Sequence, residues 1–386
     1  MCTFTPNTHN MNDLHIFLKD SHFLDKMPEG YYEKIQVGAA VMRPHDEGFD
    51  LSAADMVLVG CADWWGADRK KEHGNGPDKV RKYFYQMYHW HDKVTIADLG
   101  DIKPGATPAD TRSALVAVLQ EVHNAGKTAV IIGGGHDLML QQYEVYKRNI
   151  ETAVATVVDM LIDLDETEGP SDKGFLMEML TETPNHISHY NHLAFQIYYS
   201  HPAMVDTLNK LSFDLYRLAK LREDYDEIEP VVRRSNIMSF DMTAVRYCDA
   251  PANVKGSPNG LDGEEACMMA QFAGLADKLS SFGIYGYDET NDTNDMTARL
   301  IAQMVWYYAD GCHTKKKGIA DGAEALLEFY ITIEGIDTAF VKNKYNNRWY
   351  VRLPQGVLMP CSYKDYQIAC SGELPERLLR EMERLS

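Results

Sequence analysis

Short runs of apolar, mostly β-branched residues, each followed by a polar side chain, are the feature of this chain that most restricts its fold. Three such runs are Thr128–Ile132, Ala153–Val158 and Ile237–Phe240. Runs of this length between helical patterns are typical of βαβ units and of a parallel sheet that is buried on both faces. The sequence therefore predicts an α/β fold with three αβα layers and a mostly parallel sheet.

The polar residues that follow these runs predict a metal site. They are His136 after a glycine triplet, Asp159 and Asp163 after the second run, and Asp241 after the third. In a parallel sheet the carboxyl ends of the strands meet at one edge, where ligands bind, so these side chains are expected to converge. One imidazole with three carboxylates is a hard ligand set that suits Mn²⁺ or a similar ion. Taken singly, an aspartate after a strand is more often a helix N-cap or a turn residue.

The same residues carry a resemblance to a known family. Gly-Gly-x-His, Asp-x-x-x-Asp, Ser-Phe-Asp and a Thr-Ala-Arg helix occur in that order. This order resembles the arginase, agmatinase and formimidoylglutamase family of binuclear manganese hydrolases. The segment from Glu229 to Arg299 is most similar to the bacterial formimidoylglutamase-like branch. The resemblance covers about residues 50–312 and implies an arginase-like fold, a small amidine or guanidino substrate and a homo-oligomer.

Three departures from the family pattern lie at the site. Leu161 stands where the family has a metal-ligating histidine, and Thr243 stands where it has a ligating aspartate. By resemblance, both missing groups serve one of two metals, and the four ligands above serve the other. Gly286 aligns with a glutamate that holds the cationic end of the substrate, and Asp288 and Glu289 are the nearby acids that would have to replace it. One Mn²⁺ ion per chain and a changed substrate pocket are therefore expected.

Two functions from different classes follow from this pattern. By resemblance, the first is metal-dependent hydrolysis of a linear amidine C–N bond, with N-formimidoyl-L-glutamate giving glutamate and formamide, a step of histidine degradation. The metal would lower the pKa of a bound water, and the resulting hydroxide would attack the amidine carbon. The alternative is a catalytically silent homologue that acts as a binding or oligomeric scaffold, which the changes at Leu161, Thr243 and Gly286 favour. The intact ligand set of the first ion argues against complete decay.

Three histidines form a cluster in the stretch Pro184–His192, whose sequence is typical of a loop. A loop histidine near a metal can transfer protons or contact the substrate. By resemblance, His192 is the candidate catalytic residue, since Leu193–Gln196 after it aligns best. The alternative is that His186, His189 and His192 are surface residues that are satisfied by solvent or backbone.

Three further features give weaker signals. The glycine triplet before His136 lacks the endings and spacings of phosphate-binding loops, so close backbone approach is favoured. The pair Trp64-Trp65 lines the pocket or, more often for adjacent aromatics, packs in the core and rim. Asp249 is a candidate replacement for the acid that is missing at Thr243.

Charge and cysteine usage exclude several classes of protein. The formal charge is −19, from 57 acidic against 38 basic residues, and no basic stripe offsets it, so nucleic acid is not an expected partner. The seven cysteines include no Cys-x-x-Cys pair and predict reduced, mostly buried thiols. Met1–Lys19 lacks the pattern of a signal peptide and no apolar run is long enough to span a membrane, so a cytoplasmic protein is expected.

The 386 residues predict one α/β domain with additions. Residues 1–50 are expected to form an N-terminal extension, 51–312 the arginase-like domain, and 313–386 a C-terminal extension packed on that domain, because no flexible linker precedes it. The remaining predicted elements are strands at Met56–Cys61, Val94–Ala97, Leu327–Ile333 and around Arg348–Leu353, and helices at Lys79–Tyr88, from Pro108 to Asn124 and at Leu138–Arg148.

Overall fold

The computed structural model describes residues 14, 16–19, 28, 30–67, 74–167, 169, 171–253, 255–319, 325–333 and 335–385. Within these ranges the strands are β1 (Leu18–Lys19), β2 (Met56–Cys61), β3 (Ile96–Ile102), β4 (Thr128–Gly133), β5 (Ala153–Val158), β6 (Ile187–Phe195), β7 (Asp214–Arg217), β8 (Ile237–Asp241), β9 (Ser281–Tyr285), β10 (Leu326–Ile333), β11 (Ile336–Asn343), β12 (Trp349–Arg352) and β13 (Leu358–Cys361). The α-helices are α1 (Val37–Ala40), α2 (Gly76–Phe84), α3 (Pro108–Asn124), α4 (Met139–Asn149), α5 (Phe175–Thr181), α6 (Pro202–Lys210), α7 (Leu218–Glu223), α8 (Glu229–Arg233), α9 (Gly263–Leu275), α10 (Met296–Ile319), α11 (Tyr363–Cys370) and α12 (Glu376–Leu385).

The centre of the described part is a nine-stranded sheet with the order β1-β3-β2-β4-β9-β8-β5-β6-β7. Neighbouring strands are parallel, except β1, which pairs with β3 in the antiparallel direction. Side chains of β4 alternate between two buried clusters: Val130 and Ile132 join one that includes α9 and α10, and Ala129 and Ile131 join one that includes α3 and α4. A sheet with an apolar core on each face confirms the predicted three-layer α/β fold.

Helix α3 begins where its local sequence predicts. The Thr107 side chain accepts a hydrogen bond of 3.2 Å from the Asp110 backbone N–H, and the Asp110 carboxylate accepts one of 2.9 Å from the Thr107 backbone N–H. This reciprocal capping satisfies two backbone donors that a helix start leaves unpaired. Pro108 at the first helical position has no N–H to satisfy.

Strand β3 extends beyond the predicted segment, Val94–Ala97, through two aspartates. Arg81 of α2 is fully buried and donates hydrogen bonds to Asp98 at 2.7 and 3.0 Å and to Asp101 at 2.5 Å. Buried charges are tolerated inside a strand when they are paired and hydrogen-bonded. The prediction ended too early because the partner of these acids comes from a helix and not from the strand itself.

The stretch predicted as a loop, Pro184–His192, is mostly strand β6, which pairs in parallel with β5 and β7. Its polar side chains find partners inside the fold: Asn191 Nδ2 donates to Thr156 Oγ1 at 3.0 Å, and His189 Nε2 lies 2.9 Å from Asp214 Oδ2. The loop prediction was wrong because a strand with buried polar residues shows neither an apolar run nor a regular alternation.

The C-terminal residues form a second, antiparallel sheet with the order β10-β11-β12-β13. Strands β10 and β12 confirm the two predicted strands, whereas β11 and β13 were not predicted. A separate buried cluster that includes Phe340, Trp349 and Val351 stabilises this sheet. Arg233 of α8 donates to the backbone carbonyls of Trp349 at 3.0 Å and Cys361 at 3.3 Å, so the small sheet is attached to the α/β domain.

The ends of the described chain refine the expected organisation. Helix α10 continues to Ile319 and therefore runs through the boundary expected between 312 and 313. In the N-terminal extension, β1 adds to the edge of the sheet, and residues 1–13 and 20–27 lie outside the described residues. Among the residues that the structure describes, no helix has the length and apolar character needed to cross a membrane.

Candidate metal centre

The residues predicted as metal ligands meet at the carboxyl edge of the sheet, after β4 and β5 and at the last residue of β8. His136 Nδ1 lies 3.1 Å from Asp159 Oδ2, 3.2 Å from Asp163 Oδ2 and 3.5 Å from Asp241 Oδ2. All four side chains are buried. Two ligands of one ion can lie up to about 4 Å apart at bonds of about 2.1 Å. Ligand atoms of His136, Asp159 and Asp241 all lie within 4.8 Å of one another, so small movements would let them share an ion, whereas Asp163 is not in this set although it contacts His136. The expected convergence is therefore present in the fold.

Glycines let the backbone segments of the site approach one another. A Cβ atom on Gly134 would lie 2.0 Å from the carbonyl oxygen of Asp63, and one on Gly286 would lie 2.6 Å from Asp241 Oδ1. Gly286 also has a φ of +78°, in the left-handed region that favours glycine. The prediction of close backbone approach at the triplet is confirmed.

A short chain of hydrogen bonds orients the His136 ring. Its Nε2 lies 2.9 Å from Ser239 Oγ, and the Ser239 hydroxyl donates to Met139 Sδ at 3.1 Å. Because the serine proton is used toward Met139, Ser239 Oγ accepts from Nε2–H, and Nδ1 faces the carboxylates. A ligating histidine needs this arrangement, in which the second ring nitrogen donates to a neighbouring acceptor. The donor set and its surroundings fit an oxygen-preferring divalent ion.

Asp159 and Asp241 each direct one oxygen toward His136 and hold the other in hydrogen bonds. Asp159 Oδ1 accepts from Thr243 Oγ1 at 2.6 Å and from the Leu161 backbone N–H at 3.1 Å, and Asp241 Oδ1 accepts from the Thr243 backbone N–H at 2.7 Å. Leu161 and Thr243 both line the cleft above the site. The outer oxygens of Asp159 and Asp241 are therefore bonded to neutral donors.

The electrostatics of the cluster favour a positive charge at its centre. Burial acts to lower the pKa of His136, but hydrogen bonds with Asp159 and Asp163 and the charge of Asp241 outweigh burial and hold it well above its ordinary value. Burial and the charge of Asp159 raise the pKa of Asp163 and of Asp241. Although burial opposes it, the interaction with His136 lowers the pKa of Asp159. The raised pKa of His136 favours a proton on its ring, and a divalent cation bound by these side chains would replace that proton.

A cleft with an empty volume of about 350 Å³, including space open to solvent, leads to the cluster. Its wall includes Trp64, which is buried, whereas the neighbouring Trp65 is 54% exposed, so the pair divides between the pocket and the surface. Asp172 and Lys255 also line the cleft, and sequence reasoning missed both. They lie in turns between the regular elements, where local pattern does not indicate the direction of a side chain.

Lys255 places a positive charge in this cleft. Burial acts to lower its pKa, but the attraction of Asp163, Asp172, Asp241 and Asp159 outweighs burial, so the pKa of Lys255 lies above its ordinary value. The charges that act on this ammonium group are therefore those of the candidate ligands and of one further acid of the cleft.

Asp288 and Glu289, the acids near Gly286, have partners away from the cleft. Asp288 accepts hydrogen bonds from Thr290 Oγ1 and Asn291 Nδ2, both at 2.7 Å, and is committed to its own turn. The Glu289 carboxylate lies against the backbone at Gly74, where an added Cβ atom would collide with it. Among the described residues, neither acid lines the cleft.

Asp249 does not substitute for the acid that is missing at Thr243. Its Oδ2 accepts hydrogen bonds of 2.9 Å from Arg246 Nε and from the Gly263 backbone N–H. Asp249 thus stabilises the start of α9, and it is absent from the described lining of the cleft. The interpretation based on closeness in sequence was wrong, because these contacts turn the side chain toward α9.

His192 lies behind Asp159 and outside the described lining of the cleft. Its Nδ1 lies 2.7 Å from the Tyr190 hydroxyl, and its Nε2 lies 3.3 Å from the backbone oxygen of Asp159. Burial lowers the pKa of His192 to about 4, so the ring is neutral near pH 7. His186 and His189 are buried as well, which excludes the alternative that the three are surface histidines.

Comparisons with known proteins identify the family and the fold. The Arginase family model matches residues 54–309. Two relatives named formimidoylglutamase, from Hahella chejuensis and Streptococcus gordonii, are each 22% identical over 249 and 255 residues, and each alignment covers 60% of this chain and 76% of the relative. The solved formiminoglutamase of Trypanosoma cruzi with Mn²⁺ has a TM-score of 0.65 at 17% identity, covering 72% of this chain and 99% of that one. Formimidoylglutamase from Bacillus subtilis also has a TM-score of 0.65 at 17% identity, covering 78% and 98%.

The structural likenesses, at these low identities, show the shared fold. The family model matches more than half of the chain and includes every candidate metal ligand. This chain belongs to the arginase family.

Proposed function

We propose that this chain is a hydrolase that uses one manganese ion to cleave a linear amidine, with N-formimidoyl-L-glutamate giving glutamate and formamide. The observation that carries the proposal is the convergence of His136 Nδ1 with three carboxylate oxygens at 3.1 to 3.5 Å. The relatives named formimidoylglutamase support the choice of reaction, and the Mn²⁺ in the related T. cruzi structure supports the choice of metal.

The residues around the ligands hold them in one arrangement. A manganese ion bound there would supply a Lewis acid that activates water near neutral pH. Thr243 and the backbone of Leu161 hold the outer oxygen of Asp159, so its other oxygen faces His136. Ser239 holds the His136 ring from its far side. Such preorganisation matters because small displacements of catalytic groups cost large factors in rate.

The contacts of His192 favour a positioning role. It touches the backbone oxygen of Asp159 and the hydroxyl of Tyr190, both inside the fold. We propose that it supports the strand end that carries Asp159. The expectation that His192 itself transfers protons stays a prediction, and a pH profile separates the two roles.

Substrate recognition must differ from the family pattern, because Gly286 offers no carboxylate for an amidinium group. Of the described residues that line the cleft, Asp172 is the acid outside the ligand set. We therefore assign the amidinium contact to Asp172, since a carboxylate and an amidinium form strong paired hydrogen bonds. A homo-oligomeric state, which the resemblance implies, stays a prediction.

Metal analysis together with an assay for glutamate and formamide tests the proposal. We expect about one manganese ion per chain and activity on N-formimidoyl-L-glutamate that requires manganese. Protein that binds manganese but is inert on formimidoyl, guanidino and agmatine-like substrates would favour the silent scaffold instead. The changes at Leu161, Thr243 and Gly286 are the observations behind that alternative.

A further inference from the structure

Lys255 lines the same cleft as Leu161 and Thr243, the two positions that lack the family's second-ion ligands. No other lysine or arginine occurs among the described residues that line this cleft. Lys255 is half-buried, and the negative charges of Asp163, Asp172, Asp241 and Asp159 attract its ammonium group; all of these except Asp172 are acidic ligands of the proposed ion. The cleft that lacks the ligands of a second ion therefore contains a cation.

The charges of the ion and its ligands balance when Lys255 is counted, and Asp172 is then left for the amidinium group of the substrate. By resemblance, the binuclear site combines two divalent ions with four ligating carboxylates. Loss of the second ion removes two positive charges, and the threonine at 243 removes one negative charge. This leaves the acids short of one positive charge, and one ammonium group supplies it. Buried carboxylates need such compensation because a charge that is removed from water without a partner is costly.

We propose that the ammonium group of Lys255 takes over the charge of the missing second manganese ion and keeps a second ion out of the cleft. This inference rests on the proposed function, because it assumes that one ion occupies the site of His136 and the three aspartates. Lys255 would act here as a fixed positive charge and not as a group that titrates.

Manganese titrations of the purified full-length chain, without substrate, test this role. Replacing Lys255 by Met removes a like charge from the neighbourhood of the ion, so we expect Mn²⁺ to bind about tenfold tighter or more. Lys255→Arg keeps the charge and should bind Mn²⁺ as the wild type does. Lys210→Met is the matched control, because Lys210 is exposed at the end of α6 and precedes β7 at the opposite edge of the sheet.

A second set of variants asks whether Lys255 excludes the second ion. With Leu161→His and Thr243→Asp alone, we expect one ion per chain at micromolar manganese, and with Lys255→Met added we expect two. The inference is overturned if Lys255→Met leaves the affinity for Mn²⁺ unchanged and the variant pair binds two ions equally well with and without Lys255.

Failure of the proposed function is distinguishable from failure of this inference. If the wild type binds no manganese, the proposed function fails, and thermal unfolding of the metal-free protein decides the role of Lys255. Lys255→Met should then lower Tm by several degrees relative to the wild type and to Lys210→Met, because the acids lose their neutralising charge. An unchanged Tm in that case overturns the inference.

Discussion

The hydroxyl of Thr243 donates a hydrogen bond of 2.6 Å to Asp159 Oδ1. At this position the family resemblance implies a second carboxylate and an ion shared with Asp159. The neutral donor instead satisfies the outer oxygen of Asp159 and turns the inner one toward His136. The same substitution that removes a ligand thus stabilises the geometry of the ligand that remains.

Replacing Asp241 by Asn should weaken manganese binding by more than about 100-fold, because the variant loses both a charge and a ligand oxygen. Isothermal titration with MnCl₂ measures the change. Asp249→Asn is the matched control, since Asp249 pairs with Arg246 outside the cluster and its loss should leave the affinity unchanged. Equal effects of the two substitutions would contradict the site.

Manganese affinity should rise with pH. In the metal-free protein the pKa of His136 lies well above its ordinary value, so the ring carries a proton that the ion must displace. The affinity should therefore increase by about tenfold per pH unit for each proton released, up to the folded-state pKa of His136. Titrations between pH 6 and 8 in buffers of different ionisation enthalpy count the protons. An affinity that is independent of pH would show that Nδ1 is not protonated in the metal-free state.

A methyl group at Gly286 should disturb the metal site as well as the backbone. Its Cβ would lie 2.6 Å from Asp241 Oδ1, and its φ of +78° adds strain of about 1 kcal/mol. Gly356→Ala is the matched control, because Gly356 has a φ of +82° and nothing within 4 Å of its Cβ position. Both variants should lose stability in chemical unfolding, but we expect only Gly286→Ala to bind manganese more weakly.

His192→Phe separates positioning from proton transfer. If His192 positions Asp159, the variant leaves the buried Tyr190 hydroxyl without its partner, destabilises the fold by about 1–3 kcal/mol and keeps the shape of the pH profile of kcat. Tyr190→Phe breaks the same hydrogen bond and should have a similar effect. Loss of kcat by about 10²–10⁴-fold together with loss of one pKa from the profile, in His192→Phe alone, would instead support proton transfer.

Asp172→Asn should raise KM for N-formimidoyl-L-glutamate by about tenfold and change kcat little, because the contact with the amidinium group is made in the ground state and the transition state alike. Asp165→Asn in the same connection provides the control, since Asp165 is exposed. Steady-state kinetics measure both parameters. An unchanged KM in Asp172→Asn would remove Asp172 from substrate recognition.

The sequence by itself determined the parallel sheet and the four side chains at its carboxyl edge. Apolar runs mark buried strands, and parallel topology brings the residues after them together, so local pattern was enough for His136, Asp159, Asp163 and Asp241. The same reasoning identified the loss of ligands at Leu161 and Thr243 through resemblance.

The tertiary structure alone decided where the remaining polar residues point. Lys255 faces the cleft, Asp249 is turned toward α9 by Arg246, and His192 is buried behind Asp159. Strand β3 continues through its aspartates because Arg81 reaches them from α2. These outcomes depend on partners that are distant in sequence, since a charged or polar side chain adopts the direction in which its charge or hydrogen bonds are satisfied.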